Sequence, residues 1–169
     1  MSVEDIKKAL WNDNIDSTSA DTMNTTLLEQ YKLYVEMADR ISSRRDTANN
    51  FFLTINSAAI VAGSPLLEKF IESYSRWYLF FPFVVILLLL FFWWRMINSY
   101  KQLNSAKFKI IGLLEEKLPA RIYGKAEWDI CLAKGEDRSK YWPLTHLESK
   151  IPWIFLLGYI VLFGVFFFK

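Results

Sequence analysis

The sequence is poor in the residues that most often carry enzymatic and metal chemistry. It holds one cysteine, Cys131, and one histidine, His146, which excludes an intrachain disulfide and any site built from several cysteines or histidines. His146 and Glu148 lie two positions apart, and on a helix such residues do not face each other. With no nucleophile and base to pair and no glycine-rich phosphate loop, the sequence predicts a protein that is not an enzyme. No catalytic residue, cofactor or metal is expected.

Long apolar runs are abundant by contrast. Hydrophobic residues make up 53% of the chain and aromatic residues 17%, and both are concentrated in blocks. Residues 77–94 and 151–168 form two uncharged blocks of eighteen residues each. At the helical rise of about 1.5 Å per residue, each block matches the hydrocarbon core of a bilayer. Both are predicted to be transmembrane helices.

A third segment, residues 49–66, is long enough to enter a membrane but is rich in Asn, Thr and Ser. Neither proline nor glycine interrupts the chain between Thr26 and Gly63, and a capping box at Thr26-Leu27-Leu28-Glu29 predicts a helix start. The segment is therefore predicted to be the membrane half of one continuous helix, which Gly63-Ser64-Pro65 ends or kinks. An alternative with two spans, in which residues 49–66 lie at the interface, stays open.

The predicted fold is an all-α integral membrane protein with three transmembrane helices and long helical cytosolic extensions. Ser2 is predicted to cap a short first helix, Leu118-Pro119 to end the second long helix, and a capping box at Thr145 to begin the last. A packed helical seam is predicted from four-and-three spacings at Leu27, Tyr31, Tyr34, Ala38 and Ile41. The predicted segments are 1–25, an N-terminal helix and linker; 26–67, an amphipathic helix continuing into transmembrane helix 1; 76–118, transmembrane helix 2 continuing into a cytosolic stalk helix; 119–144, a cytosolic loop; and 145–169, transmembrane helix 3.

Basic residues near the spans predict the orientation. Residues 95–150 contain eleven Lys or Arg, whereas the connection between the first two spans holds only Lys69 and Arg76. Because positively charged loops stay in the cytosol, residues 1–48 and 95–150 are predicted to be cytosolic. With three spans, the C-terminus then lies on the other side of the membrane.

The polar side chains of the third segment fall on neighbouring strips of a helix. One interpretation is that several copies surround a pore, since amides and hydroxyls replace part of an ion's hydration shell. Phe51 and Ile55, four positions apart, would then form an apolar gate. The other interpretation, hydrogen bonding between helices of one subunit, stays open. The predicted pore-lining residues are Asn50, Thr54, Asn56 and Ser57.

Basic residues next to the predicted spans are candidates for a cytosolic binding surface. They would form a cationic ring or bind an anionic signal such as a nucleotide or oligonucleotide. The alternative is that they contact anionic lipid and set the topology. The predicted signal-binding or anion-binding residues are Arg40, Arg44, Arg45, Lys101, Lys107 and Lys109.

Two stretches, LLEQYKLYVEMADRISSRRDTANNFFLTINSAAIVAG and SKYWPLTHLESKIPWIF, carry a resemblance to a known class. In layout the chain resembles the SLATT class of small bacterial membrane proteins, which are associated with nucleotide signalling and anti-phage defence. The resemblance covers Leu27 to about Leu118, and the third span departs from the two-span pattern of that class. It implies an oligomeric pore-forming effector in the bacterial inner membrane. With the three predicted spans, the C-terminus is then expected to be periplasmic or extracellular.

The predicted function is therefore a homo-oligomeric ion channel or pore that acts as an anti-phage defence effector. The resemblance implies that a cytosolic nucleotidyltransferase, or its nucleotide or oligonucleotide product, gates it. Membrane lipid is a further expected partner. The alternative is a membrane-anchored adaptor that recruits a soluble defence protein.

Overall fold

The computed structural model describes residues 2–12 and 20–168, and these residues form helices and turns with no strand. The long helices are therefore the framework of the described residues. The α-helices are α1, Val3–Leu10; α2, Ala20–Ser73; α3, Phe80–Glu115; α4, Leu144–Glu148; and α5, Ile151–Phe168. Shorter helical pieces are the 3-10 turns Arg76–Leu79 and Ala133–Gly135 and the π-helical segment Ile122–Cys131.

The first helix has the predicted capping box. The Asp5 N–H donates to the Ser2 hydroxyl at 3.1 Å, and the Ser2 N–H donates to the Asp5 carboxylate at 2.8 Å. These hydrogen bonds satisfy two donors that a helix start leaves without intrahelical partners, and they lower the pKa of Asp5. The helix ends at Leu10, because Trp11 takes an extended conformation.

The second helix is longer than predicted at both ends. It begins at Ala20 rather than at Thr26, and its first turn carries Asp21, whose charge suits the helix N-terminus. Thr26 thus lies inside the helix and does not cap it. Gly63-Ser64-Pro65 was predicted to end or kink the helix, and the first alternative is wrong, because α2 runs on to Ser73 with Pro65 inside. Proline removes one backbone donor, and the single lost bond does not stop this helix.

The last two long helices hold the apolar blocks. α3 ends at Glu115, three residues before Leu118, where the sequence predicted its end. The prediction that the last helix begins at the Thr145 capping box is wrong. Thr145 lies within the short helix α4, and the last helix, α5, begins at Ile151. By length and composition, two helical stretches among the described residues can cross a membrane, Arg76–Glu115 and His146–Phe168. The polar part of α2, predicted as a further span, is not one of them.

The chain divides into two compact units. The polar unit comprises Met1–Ser42 and Gln102–Trp142, and the apolar unit comprises Ser43–Lys101 and Pro143–Lys169. In the polar unit Leu27, Ala38 and Ile111 are buried, and the other three residues of the predicted seam on α2 are half-buried. The predicted seam is therefore confirmed as a packed face.

The apolar unit has a core to which α2, α3 and α5 all contribute. Trp93 and Ile97 of α3 are fully buried there, together with Tyr159 of α5. Phe52 and Ile60 of α2 pack against this cluster. The polar segment of α2 is thus packed against both apolar helices of its unit.

Candidate functional site

The polar residues of α2 divide between two faces of the helix. Asn49 lies on the inner face, where its side-chain carbonyl accepts a hydrogen bond from the Trp93 indole N–H at 2.8 Å. One turn further, Phe52 stacks on the same indole with ring centroids 5.8 Å apart and planes 10° from parallel. The indole is thus held by a polar and an aromatic contact, which fixes α2 against α3.

Asn56 lies on this inner face as well and is only 2% exposed. Its amide donates to the Phe52 carbonyl at 2.8 Å, and the Tyr159 hydroxyl lies 3.1 Å from its backbone carbonyl and 3.2 Å from its side-chain oxygen. These contacts give the amide partners in apolar surroundings, where an unpaired polar group is costly. Asn56 therefore joins α2 to α5, which is the structural role of the two left open by the sequence.

The other three residues predicted to line a pore lie together on the outer face. Asn50, Thr54 and Ser57 are all exposed, and their spacing places them on one strip of α2. The predicted gate residues Phe51 and Ile55 are 58% and 39% exposed. At about 100° per residue they lie roughly a third of a turn around the helix from the polar strip. The outer face therefore has a polar side and an apolar side.

Small residues continue the apolar side of this outer face. Ala58 and Ala62, four positions apart, are exposed at the same angular position as Phe51 and Ile55. Small residues at this spacing let membrane helices approach each other closely. The outer face of α2 thus presents an uncharged polar strip and an adjoining strip of apolar and small residues.

The six predicted anion-binding residues are divided between the two units, three in each. The Arg40 guanidinium lies 2.6 Å from the Glu36 carboxylate, and the buried Lys107 ammonium stands 4.1 Å above the Tyr34 ring. Arg45 lies 3.3 Å from Asp46 and 3.5 Å from the buried Glu148. Because Arg40, Arg45 and Lys107 already interact with these partners, their charges are partly compensated and would attract an external anion less strongly. Arg44 and Lys109 are exposed, and Lys101 is half-buried.

A buried carboxylate in the polar unit was missed by the sequence reasoning. Glu115, at the end of α3, is fully buried and accepts from the Tyr31 hydroxyl at 3.0 Å. It also accepts from the backbone N–H groups of Tyr123 and Gly124 at 2.9 and 2.8 Å. The pKa of Tyr31 is raised, mainly because the side chain is buried and also because its hydroxyl donates to this carboxylate. Glu115 therefore joins α2, α3 and the π-helical segment through charge-assisted hydrogen bonds.

Two glycines allow this carboxylate cage to form. A Cβ added to Gly124 would lie 3.2 Å from the Gly112 Cα and 3.2 Å from the Glu115 Oε2. In the sequence, the signal for the cage is the pair Gly112 and Gly124 on either side of Glu115. Beside the cage lies an open groove of about 580 Å³. Its lining residues are Tyr31, Lys32, Val35, Glu36, Asp39, Ile122 and Tyr123.

Comparison with known families gives one match. The sequence pattern of the octameric membrane protein family (8xMP) matches residues 28–168, which is most of the chain and includes α3, α5 and nearly all of α2. No curated protein and no solved structure matches the chain. The match supports a membrane location and homo-oligomeric association, and it carries no link to the SLATT class or to defence systems.

Proposed function

We propose that the chain, which belongs to the octameric membrane protein family, assembles as a homo-octamer around a water-filled ion pore lined by α2. The observation that carries the proposal is the division of α2 into two faces. Asn49 and Asn56 bind the inner face to α3 and α5, so Asn50, Thr54 and Ser57 are left exposed together. An uncharged polar strip suits water and ions better than hydrocarbon.

The proposal requires α2 to cross the membrane as a third span. Its contacts in the apolar unit support this, because they run from Phe52 against Trp93 to Leu67, which lines a pocket with Leu79. Phe52 and Leu67 are fifteen residues apart, or about 22 Å along a helix. A helix packed over this length against two apolar helices shares their depth in the bilayer.

The other two long helices suit lipid rather than a pore. The side chains that α3 and α5 expose in the apolar unit include Phe81, Leu88 and Ile154, at 78%, 52% and 67% exposure. Large apolar side chains exposed to this extent indicate a surface that hydrocarbon covers. We therefore place α2 on the pore side of each subunit and α3 and α5 on the lipid side.

An octamer sets the size of the proposed pore. Eight helices in a ring, with axes about 8 to 10 Å apart and helix radii of about 5 Å, leave a lumen about 11 to 16 Å across. Such a lumen admits hydrated ions, so we expect weak selectivity among small ions. The strip of Phe51, Ile55, Ala58 and Ala62 adjoins the polar strip and would contact α2 of the next subunit. A rotation of each whole subunit about its α2 axis would keep the contacts of α2 with α3 and α5, bring Phe51 and Ile55 into the lumen and close it.

The proposal also includes control of the pore from the cytosol. In the proposal the signal passes along α2, since residues 26–48 and the membrane segment belong to the same helix, Ala20–Ser73. The proposed trigger is a cytosolic partner or a nucleotide-derived anion, with exposed Arg44 as one available contact. In the setting that the SLATT resemblance implies, the pore is an anti-phage effector in the bacterial inner membrane with a cytosolic N-terminus.

The groove in the polar unit favours a second candidate function, a membrane-anchored adaptor. It is open, has a volume of about 580 Å³, and combines the charges of Lys32, Glu36 and Asp39 with apolar Ile122. A groove of this size and mixed polarity suits a segment of a soluble protein. In that case the exposed polar strip on α2 would have no role in conduction.

Ion flux into liposomes separates the two functions. We expect purified protein to have the mass of an octamer in detergent and to conduct ions after reconstitution. Combined changes Asn50→Leu, Thr54→Leu and Ser57→Leu should abolish flux, because they replace the polar strip with hydrocarbon. The matched control, Leu88→Asn on the lipid side, should keep its flux if it inserts normally. An octamer whose flux is the same with and without the polar strip would exclude α2 as the pore helix.

A further inference from the structure

A pocket lies between the three long helices of the apolar unit, away from the polar strip of α2. Its volume is about 160 Å³. Gly63 and Leu67 line it from α2, Leu79 and Phe83 from the beginning of the α3 stretch, and Leu162 and Phe166 from α5. None of these residues has a role in the proposed pore.

The chemistry of the pocket selects an apolar occupant. Its lining is almost wholly hydrocarbon, and the one hydroxyl among the lining side chains, on Tyr159, is already directed at Asn56. A Cβ placed on Gly63 would have no heavy atom within 4 Å, so space is open above this glycine. Apolar cavities of about this size stay dry and take up small hydrocarbon groups. A section of an acyl chain has the right polarity and the right thickness.

A cation lies at the same end of the unit as the pocket. Arg76 begins the turn that ends at Leu79, which lines the pocket. Its guanidinium also donates to the Phe167 carbonyl at 3.2 Å, and the preceding residue, Phe166, lines the pocket. Arg76 is exposed, and a guanidinium has further N–H donors in a geometry that matches phosphate. Next to it, Trp77 is 71% exposed, as is usual for tryptophan at a membrane interface.

We propose that the pocket and Arg76 together form a phospholipid-binding site, with an acyl chain in the pocket and the headgroup phosphate on the guanidinium. Both parts are needed, since the pocket supplies no charge and Arg76 supplies no apolar cover. The bound lipid would fill the space between α2 and the two apolar helices near Gly63. The inference does not depend on whether the protein conducts ions.

Native mass spectrometry of the delipidated, full-length protein titrated with phosphatidylglycerol tests the site. Gly63→Leu should weaken the tightest binding step about tenfold, as expected when roughly two methylene groups of the lipid lose their burial. The matched control is Gly158→Leu on α5, since Gly158 also has nothing within 4 Å of an added Cβ and does not line the pocket. This control should bind like the wild type. Helical content by circular dichroism identifies any variant that fails to fold.

The second variant tests the headgroup contact. Arg76→Gln removes the charge but keeps a donor for the Phe167 carbonyl, so it should weaken lipid binding while Gly158→Leu does not. A phosphatidylglycerol with a diazirine on its acyl chain should label peptides containing Leu79, Phe83 or Phe166. Equal binding by Gly63→Leu and wild type would overturn the proposal. So would a Gly63→Leu variant that changes the oligomer mass but not lipid binding, because the pocket would then receive a second copy of the chain.

Discussion

Two asparagines of one helix, Asn49 and Asn56, illustrate what a single side chain decides in this protein. Each accepts a hydrogen bond from an aromatic residue of another helix, Trp93 or Tyr159. Asn50, adjacent in sequence to Asn49, is exposed. The three side chains carry the same amide group. They differ in whether an aromatic donor of another helix lies within hydrogen-bond distance, and this separates the two that join helices from the one that faces outward.

The first prediction concerns the Tyr159 hydroxyl. Tyr159→Phe removes the donor to Asn56 and leaves that amide without its partner on α5, which should lower the free energy of unfolding by about 0.6 to 2 kcal/mol. Thermal unfolding in detergent measures the loss. Tyr78→Phe is the control, because Tyr78 is 61% exposed. Equal stability of the two variants would show that the Tyr159 hydrogen bond contributes nothing.

The second prediction concerns the buried carboxylate of Glu115. Glu115→Gln replaces one acceptor oxygen with an NH₂ group facing backbone N–H donors, so the unfolding free energy should fall by about 1.5 to 3 kcal/mol. Glu116→Gln, next in sequence and exposed, is the control and should change stability much less. A Glu115→Gln variant as stable as Glu116→Gln would contradict the cage.

The same cage gives a dependence on alkaline pH. Burial and the hydrogen bond to Glu115 raise the pKa of Tyr31 above its usual value of 10.0. A raised pKa in the folded state means that the stabilisation is complete below pH of about 10 and is lost as the pH rises beyond it. Tyr31→Phe should therefore show a smaller loss of stability than the wild type in alkaline melts. Identical alkaline profiles would exclude this linkage.

At the scale of elements, α1 is attached to the rest of the polar unit by an ion pair and a neighbouring cation–π contact rather than by buried apolar residues. The Lys7 ammonium lies 2.8 Å from the Glu116 carboxylate, and the Lys117 ammonium stands 3.5 Å above the Trp11 ring. No residue of α1 is buried. Attachment of this helix should therefore depend on charge.

This attachment should depend on acidic pH. The hydrogen bond from Lys7 lowers the pKa of Glu116, so the ion pair stabilises above the usual carboxyl pKa and is lost as the pH falls through the lowered one. Hydrogen exchange of α1 should be faster in Lys7→Ala than in wild type at pH 7, and the difference should shrink as the pH falls well below the usual carboxyl pKa of 4.5. Lys8→Ala is the control. A difference that persists at the lower pH would contradict the assignment.

The helices followed from sequence where the signal is local, and not where it depends on distant contacts. The Ser2 capping box and the seam from Leu27 to Ile41 are short-range patterns, and the structure has both. The Thr26 capping box is equally good locally, yet α2 begins at Ala20, since a cap forms only where no helix precedes it. The π-helical form of Ile122–Cys131 was not predictable, because Glu115, outside that segment, binds its backbone.

The candidate site was predictable to the same extent. Polar spacing along α2 located the strip, and the structure groups Asn50, Thr54 and Ser57 on it. The inward position of Asn56 depends on Tyr159, 103 residues away, which no helical wheel of α2 includes. Among the six predicted anion-binding residues, the contact of Lys107 with the Tyr34 ring was not predictable for a similar reason, since Tyr34 lies on another helix.

At the scale of the whole molecule, two kinds of exposed surface require different surroundings. α3 and α5 expose large apolar side chains, such as Phe81 and Ile154, whereas one side of the outer face of α2 exposes Asn50, Thr54 and Ser57. Lipid can cover the apolar surface of α3 and α5 without the loss of any hydrogen bond, but it would leave the polar side chains of α2 without hydrogen-bond partners. The proposed octamer would meet both needs, because a ring of subunits would surround water with α2 and contact lipid with α3 and α5.

Access of water to Thr54 is the most direct test of this account. In a Cys131→Ser background, Thr54→Cys and the lipid-side control Leu88→Cys are reconstituted and treated with a membrane-impermeant cationic thiol reagent during flux measurements. The account predicts that flux through Thr54→Cys is blocked and flux through Leu88→Cys is unchanged. Flux that continues in a fully labelled Thr54→Cys protein, or a block at Leu88→Cys instead, would contradict a pore lined by α2.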